Sequence, residues 1–328
     1  MQATDALLKS KDIGIILATG GEAMVHAAYS SGNPAIGVGP GNGPAFIERS
    51  ANVPNAVKHI VESKTFDNGT ICASEQSVIV EQVSKERVID EMKKHGCYFL
   101  NPQESDQLSK FILRSNGTMN PKIVGKSALK ISKMADIPVP ETTRVLVSEQ
   151  TDVSRNNPFA REKLCPILAF YTVNTWEEAC EHCMDILYNE GVGHTMTIHS
   201  ENKEIVKEFA LKKPVSRLLV NTLGSLGGVG ATTNLDPALT LGCGSVGGSA
   251  TSDNVGALNL INIRRVAYGV KELSQVRGTN PMPTQNTKLA TVEKLFEQQL
   301  SDKDEHTAFT KEDIEKITKA VINRLSTM

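Results

Sequence analysis

The 328-residue chain has no uninterrupted apolar run of the ~18–20 residues needed to cross a bilayer, and its first residues, MQATDALLKSKDIG, lack the apolar stretch of a secretory signal. These absences argue against a membrane-spanning protein and give a cytoplasmic location as the expectation. Neither sign of charge is in excess: 35 Lys and Arg stand against 37 Asp and Glu, for a net −2. Such a balance provides no basic field for nucleic acid or an acidic membrane surface, so neither is expected as a partner. Cysteine is sparse, six in all, which fits a reducing compartment where thiols are structural or catalytic rather than a disulfide scaffold. Cys180-Glu181-His182-Cys183 has no second CxxC or HxxxH pair to complete a tetrahedral zinc site. It reads as a packed helix face, and no metal is expected. Gly242–Gly248 spells G-x-G-x-x-G, but SATSDN follows it instead of a helix, so it reads as a loop beside a cleft rather than a dinucleotide fingerprint.

What is present is an α/β alternation. DIGIILATGGEAMVHAAYSSGNPAIGVG runs from an apolar strand through Thr19-Gly20-Gly21 into a helix and a second strand, half of a βαβ unit. Exposed N–H groups at that helix start favour an anion such as a cofactor phosphate; a plain strand-to-helix turn is the alternative. Next, Asn52 caps a helix with Pro54 in its first turn and Val53, Ala56, Val57, Ile60 and Val61 on one face. Asp67-Asn68-Gly69 should end it after Phe66, leaving Cys72 on a polar loop before a strand at Ser77–Glu81. Helices at Lys85–His95, Ser105–Arg114, Ser127–Met134 and Trp176–Asn189, and strands at Arg144–Val147, Thr195–His199 and Ser216–Val220, extend the pattern. Buried cysteines usually sit within apolar runs; Cys72 does not, and local context leaves it open between a structural and a nucleophilic thiol. His194, before a strand, is a secondary candidate for a base, with a satisfied structural histidine as the alternative. From residue 274 a Pro/Asn/Thr-rich linker leads to TKEDIEKITKAVINRLS, in which Ile314, Ile317, Val321 and Leu325 line one helical face.

Taken in order, ILATGG, GVGPGNGPAFIE, KTFDNGTICASEQS, EKLCPILAFY, GVGHTMTIHS and LTLGCGSVGGSATSDNVGALNLIN resemble the CoA-acylating aldehyde dehydrogenases over about residues 3–270. These include the enzymes of ethanolamine and propanediol microcompartments and the aldehyde half of bifunctional aldehyde-alcohol dehydrogenases. By that resemblance Cys72 is the nucleophile, and its backbone N–H helps hold the oxyanion. Glu162 falls where a carboxylate meets the nicotinamide ribose, and Thr19, Gly20 and Gly21 are cofactor-binding. Cys243 and its glycines line the entrance without a catalytic step. Hydrolytic relatives carry a glutamate base at the position 34 residues before the nucleophile, which here is Val38. A valine takes no proton from water, so the resemblance implies a thioester that waits for CoA.

The implied fold is aldehyde-dehydrogenase-like α/β. Its parts are a partial Rossmann-type nucleotide domain (1–40), a catalytic domain (41–260), an oligomerisation strand (261–273), a linker with a short helix (274–308) and an amphipathic docking helix (309–328). Implied partners are NAD, coenzyme A, a short-chain aldehyde, further copies of the chain and, through residues 309–328, a microcompartment shell protein. The chain starts late relative to the family, which motivates a second expectation: a truncated, catalytically incompetent remnant or interaction protein that docks to such a shell.

Overall fold

The computed structural model describes residues 2–277 and, beyond them, only Lys319. The expected linker from 278 onward and the docking helix, with Ile314, Ile317, Val321 and Leu325, lie outside the described residues. Two compact units divide the chain, residues 1–262 and 263–328.

The first unit opens with α1 (Gln2–Leu8), β1 (Ile16–Thr19), α2 (Glu22–Tyr29) and β2 (Ala35–Val38). There follow β3 (Gly43–Ile47), α3 (Val53–Thr65), β4 (Glu75–Glu81), α4 (Lys85–Lys94), β5 (Cys97–Phe99), α5 (Pro102–Ile112), α6 (Ala128–Met134) and β6 (Val145–Glu149). The unit closes with β7 (Ile167–Val173), α7 (Trp176–Asn189), β8 (Gly193–His199), α8 (Lys203–Lys212), β9 (Val215–Val220) and α9 (Gly224–Gly228). β1 and β2 form a parallel pair, and β3–β9 form one seven-stranded sheet in the order β5-β6-β7-β4-β3-β8-β9 with every pairing parallel.

An all-parallel sheet needs both faces covered, and its strands read as continuous apolar runs. The period-two alternation of side chains divides them between two cores. Phe46, Ile79 and Leu146 point to the face covered by α5, α6, α7 and α8, where Phe46 stacks on Phe209. Ala45, Ile47, Val78, Val80, Val145 and Val147 point to the face covered by α3 and α4. The α3 stripe foreseen in the sequence, Val53 through Val61, is buried there, and the Asn52 side chain accepts the Asn55 N–H at 3.2 Å as the helix cap. The small β1–β2 sheet has its own core of Ile16, Ala18 and Ala28.

The two sheets meet through the short link Gly39-Pro40-Gly41-Asn42. That link puts the carboxyl ends of β1 and β2 against the amino ends of β3 and β4. Ligands of open α/β sheets ordinarily sit at strand carboxyl ends, so the small sheet presents its ligand-facing edge to the large one.

In the second unit, residues 263–272 form no strand, and Leu273–Arg277 is a short helix, α10. The strand expected at 261–273 is therefore not formed in the isolated chain. Its residues Ile261, Ile263, Val266, Tyr268 and Val270 are exposed. Among the described residues no strand pairs with this segment, and an extended stretch without a ladder partner leaves its backbone groups to solvent.

Candidate active site

Cys72 is positioned by the chain on both sides of it. α3 ends in the buried core, and Asp67, Asn68 and Gly69 then adopt positive φ of 45°, 49° and 74°. Asn, Asp and Gly tolerate this left-handed region best, which is why the reversal falls on these three residues. Thr70 locks the turn by donating its hydroxyl to the Asp67 carboxylate at 2.6 Å. Downstream, Ser74 N–H donates to the Ile71 carbonyl at 2.9 Å, and β4 begins at once with every residue buried. Cys72 is thus half-buried on a loop with fixed ends.

That loop lines a cleft of about 310 Å³ whose wall includes Thr19, Gly20, Gly21, Cys72 and Glu162. All five residues assigned to the site from sequence come together there, from positions up to 143 apart in the chain. Thr19 ends β1, and its hydroxyl lies 2.9 Å from that of Thr240. Gly21 caps α2 without a side-chain bond to the helix. A Cβ at Gly21 or Gly39 would meet no protein atom within 4 Å, so these glycines leave room at the cleft mouth.

Glu162 is anchored rather than free. Its Oε1 accepts the Gly41 N–H at 2.8 Å, and its own N–H donates to Glu190 Oε2 at 2.7 Å. Burial pushes its carboxyl up to about 7; the Gly41 N–H and the buried Lys64 and Lys163 work against that rise, while Glu190 adds to it. Burial likewise pushes the Cys72 thiol up to about 12, with Glu162 and Cys243 adding to the rise and Arg217 and the Cys72 N–H opposing it. The resting thiol is therefore protonated at neutral pH.

Gly41 is the tightest point of the site. A Cβ there would lie 2.1 Å from the Cys72 carbonyl oxygen, a distance real Cβ atoms do not adopt. Gly41→Ala should displace the Cys72 loop and disturb the N–H held by Glu162. The expected outcome is a thermal midpoint lowered by about 5 °C or more and loss of selective Cys72 alkylation, read by melting and peptide mass spectrometry.

The secondary candidates fall differently. His194 is fully buried at the start of β8, its Nδ1 2.9 Å from Thr195 Oγ1, and burial together with Arg217 pulls it down to about 3. It is neutral, with the ring packed toward Gly41 instead of lining the cleft. Cys243 is buried, and neither it nor the rest of Gly242–Gly248 lines the cleft, although Leu239 and Leu241 just before the segment do. Val38 is wholly buried on β2, and nothing at that position can take a proton from water. Cys180 and Cys183 pack within the core face of α7. Among the described residues, no group of three His, Cys, Asp or Glu side chains is arranged to hold a metal, and no helix is long and apolar enough to cross a membrane.

Sequence reasoning missed the apolar half of the cleft, Ile71, Leu164, Val229, Leu239 and Leu241, which only the fold assembles. It also missed Arg217, although a lone cation within the apolar strand VSRLLV was a readable signal.

A doubly wound sheet joined to a strand–turn–helix element, with a cysteine and a carboxylate in the cleft between them, defines an aldehyde-dehydrogenase-like α/β protein. Residues 1–102 match the model of the aldehyde dehydrogenase family. The chain is 45% identical over 272 residues to the bifunctional aldehyde-alcohol dehydrogenase of Escherichia coli K12, covering 81% of this chain and 30% of that protein. With the acetylating succinate-semialdehyde dehydrogenase of Clostridium kluyveri it shares 37% over 271 residues, covering 83% and 59%. The crystal structure of a probable aldehyde dehydrogenase from Listeria monocytogenes EGD-e superposes with a TM-score of 0.82 at 69% identity, covering 84% of this chain and 61% of that one. These relatives are aldehyde dehydrogenases by description, the Clostridium kluyveri one acetylating, and the chain spans about a third to three-fifths of their length.

Proposed function

We propose that the chain carries the thiol site of a CoA-acylating aldehyde dehydrogenase, which oxidises a short-chain aldehyde with NAD and CoA to acyl-CoA and NADH. The observation that carries this reading is the convergence of Cys72, Glu162 and the Thr19-Gly20-Gly21 turn on one cleft. It is supported by a propionaldehyde dehydrogenase of Rhodopseudomonas palustris, 28% identical, whose structure holds CoA and an acylated cysteine. An engineered glycolyl-CoA reductase of 28% identity holds NADP+, so a nicotinamide dinucleotide suits the fold; the choice of NAD rests on the sequence resemblance.

The residues fit a dinucleotide: an uncapped helix start, glycines with open space beside them and a carboxylate facing the same cleft. Thr19, Gly20 and Gly21 would hold phosphate oxygens at the start of α2, and Glu162 would accept the ribose hydroxyls. A nicotinamide bound there supplies the hydride acceptor. The Cys72 thiolate adds to the aldehyde carbon to give a hemithioacetal, whose oxyanion the Cys72 N–H stabilises. Loss of hydride leaves a thioester on Cys72. The CoA thiol then attacks the thioester carbonyl and expels the Cys72 thiolate, so the acyl group stays activated. With Val38 in place of a base, water is not activated to compete.

The proposed partners are a short-chain aldehyde, CoA, further copies of the chain and, through residues 309–328, a microcompartment shell protein; this last rests on sequence alone. The test is product identity: the chain incubated with acetaldehyde or propionaldehyde, NAD and CoA should form acyl-CoA in step with NADH. Formation of free acid at the same rate with and without CoA would contradict the reading.

A further inference from the structure

Arg217 stands at the third position of β9, and only 4% of its surface is exposed. A buried guanidinium is costly unless its donors are satisfied and its charge is opposed. The donors are satisfied: Nε donates to Thr195 Oγ1 at 3.1 Å, and Nη1 donates to the Ser252 carbonyl and to Asn254 Oδ1, both at 3.2 Å. Nη2 donates to the His194 carbonyl at 3.3 Å and to the Gly242 carbonyl. The charge is not opposed, because every one of these acceptors is neutral and, among the described residues, no carboxylate pairs with Arg217.

The segments it holds lie beside the cleft thiol, Cys72, and the buried thiol of Cys243. Gly242 precedes Cys243. The His194 ring approaches within 3.3 Å the point where a Gly41 Cβ would stand, the same point that lies against the Cys72 carbonyl. Of the ionisable groups that act on Cys72, Glu162 and Cys243 disfavour a thiolate and Arg217 alone favours it. The same guanidinium favours the thiolate of Cys243, and either thiolate, once formed, favours the charged guanidinium against burial. His194 supplies no second cation. Its Nδ1 lies 2.9 Å from the buried Thr195 hydroxyl, which accepts from Arg217, and burial together with that guanidinium keeps the ring neutral.

The geometry points to Arg217 as a positioning residue of the thiol cleft: its fork ties the His194 and Gly242 backbone together, and its unopposed charge supports the Cys72 thiolate from behind. This deepens the reading of Cys72 as the nucleophile and rests on it. The fixed cation compensates for the Glu162 carboxylate that the same cleft needs for the ribose.

The test is the alkylation rate of Cys72 by iodoacetamide between pH 7 and 9, followed by peptide mass spectrometry on the full chain. Below the thiol's pKa the rate follows the thiolate fraction, so one unit of pKa is a tenfold change in rate. R217Q should react about tenfold more slowly than the wild type at each pH, whereas R217K, which keeps the charge, should stay within about threefold. A merely structural role would instead open the cleft and speed alkylation in both variants. A folded R217Q that reacts at the wild-type rate or faster overturns the proposal, as does R217K slowed as far as R217Q. If R217Q shows no cooperative melt, R217K decides: within threefold supports the proposal, and a tenfold loss refutes it. Alkylation requires no turnover, so failure of the acylating reading would appear separately, as absence of an acyl group on Cys72 during reaction with aldehyde.

Discussion

Cys72→Ala is expected to abolish acyl-CoA formation, lowering kcat for a short aldehyde by about 10⁴- to 10⁶-fold, the usual consequence of deleting a covalent nucleophile. The loss should come from chemistry rather than folding. Cys72 is half-buried on a loop whose ends are fixed by α3 and β4, so removing one sulfur leaves little cavity and should move the thermal midpoint by only a few degrees. NADH absorbance and a melting curve on the same preparation separate the two effects. Activity within tenfold of the wild type would remove Cys72 from the mechanism, and with it the explanation of why a cysteine sits on a polar loop.

Glu162→Gln carries the second large effect, on cofactor affinity and its pH dependence. Burial holds the wild-type carboxyl near 7, so it is protonated below that pH and ionised above. Only the carboxylate accepts from both ribose hydroxyls without presenting a competing donor. The wild-type KM for NAD should therefore rise as pH falls from 8 to 6. In the glutamine variant it should be raised about tenfold at pH 8 and be nearly flat across the range. Stability changes in the opposite sense. A carboxyl whose folded pKa is raised binds its proton more tightly when folded than when unfolded, so it costs stability as pH climbs from about 4.5 to about 7. The glutamine variant should lose that decline, so its midpoint relative to the wild type improves toward pH 8. An unchanged KM profile would detach Glu162 from the cofactor.

The sequence made the local parts of this molecule readable. α3, with Asn52 as its cap and five apolar residues on one face, and α7, at Trp176–Asn189, fall where periodicity put them. The Asp67-Asn68-Gly69 reversal was readable because few other residues accept three successive left-handed conformations. Two strands were not, one at the sheet edge and one inside it. Cys97–Phe99 has only three residues, and Ile167–Val173 is apolar except for Thr172, so neither offers a period to detect. α8, Lys203–Lys212, was missed because its charged residues surround a narrow apolar stripe, Ile205 and Phe209.

At the site, resemblance supplied Cys72, Glu162 and the Thr19-Gly20-Gly21 turn, but their convergence depends on sheet order. β3 and β4 lie at the centre of the sheet, and the loops entering β4 and β7 reach the edge of the β1–β2 pair. No local pattern encodes that arrangement. Arg217 shows the same limit: its five acceptors come from three separate segments, so only the folded chain reveals a cation without a counter-charge.

The central claim is that Cys72 carries the acyl group between aldehyde and CoA. Intact-protein and peptide mass spectrometry after mixing the chain with propionaldehyde and NAD, before CoA is added, should find a propionyl group on the Cys72 peptide that disappears when CoA follows and never forms in Cys72→Ala. An unmodified Cys72 peptide at every time point, while propionyl-CoA accumulates in the complete mixture, would contradict it.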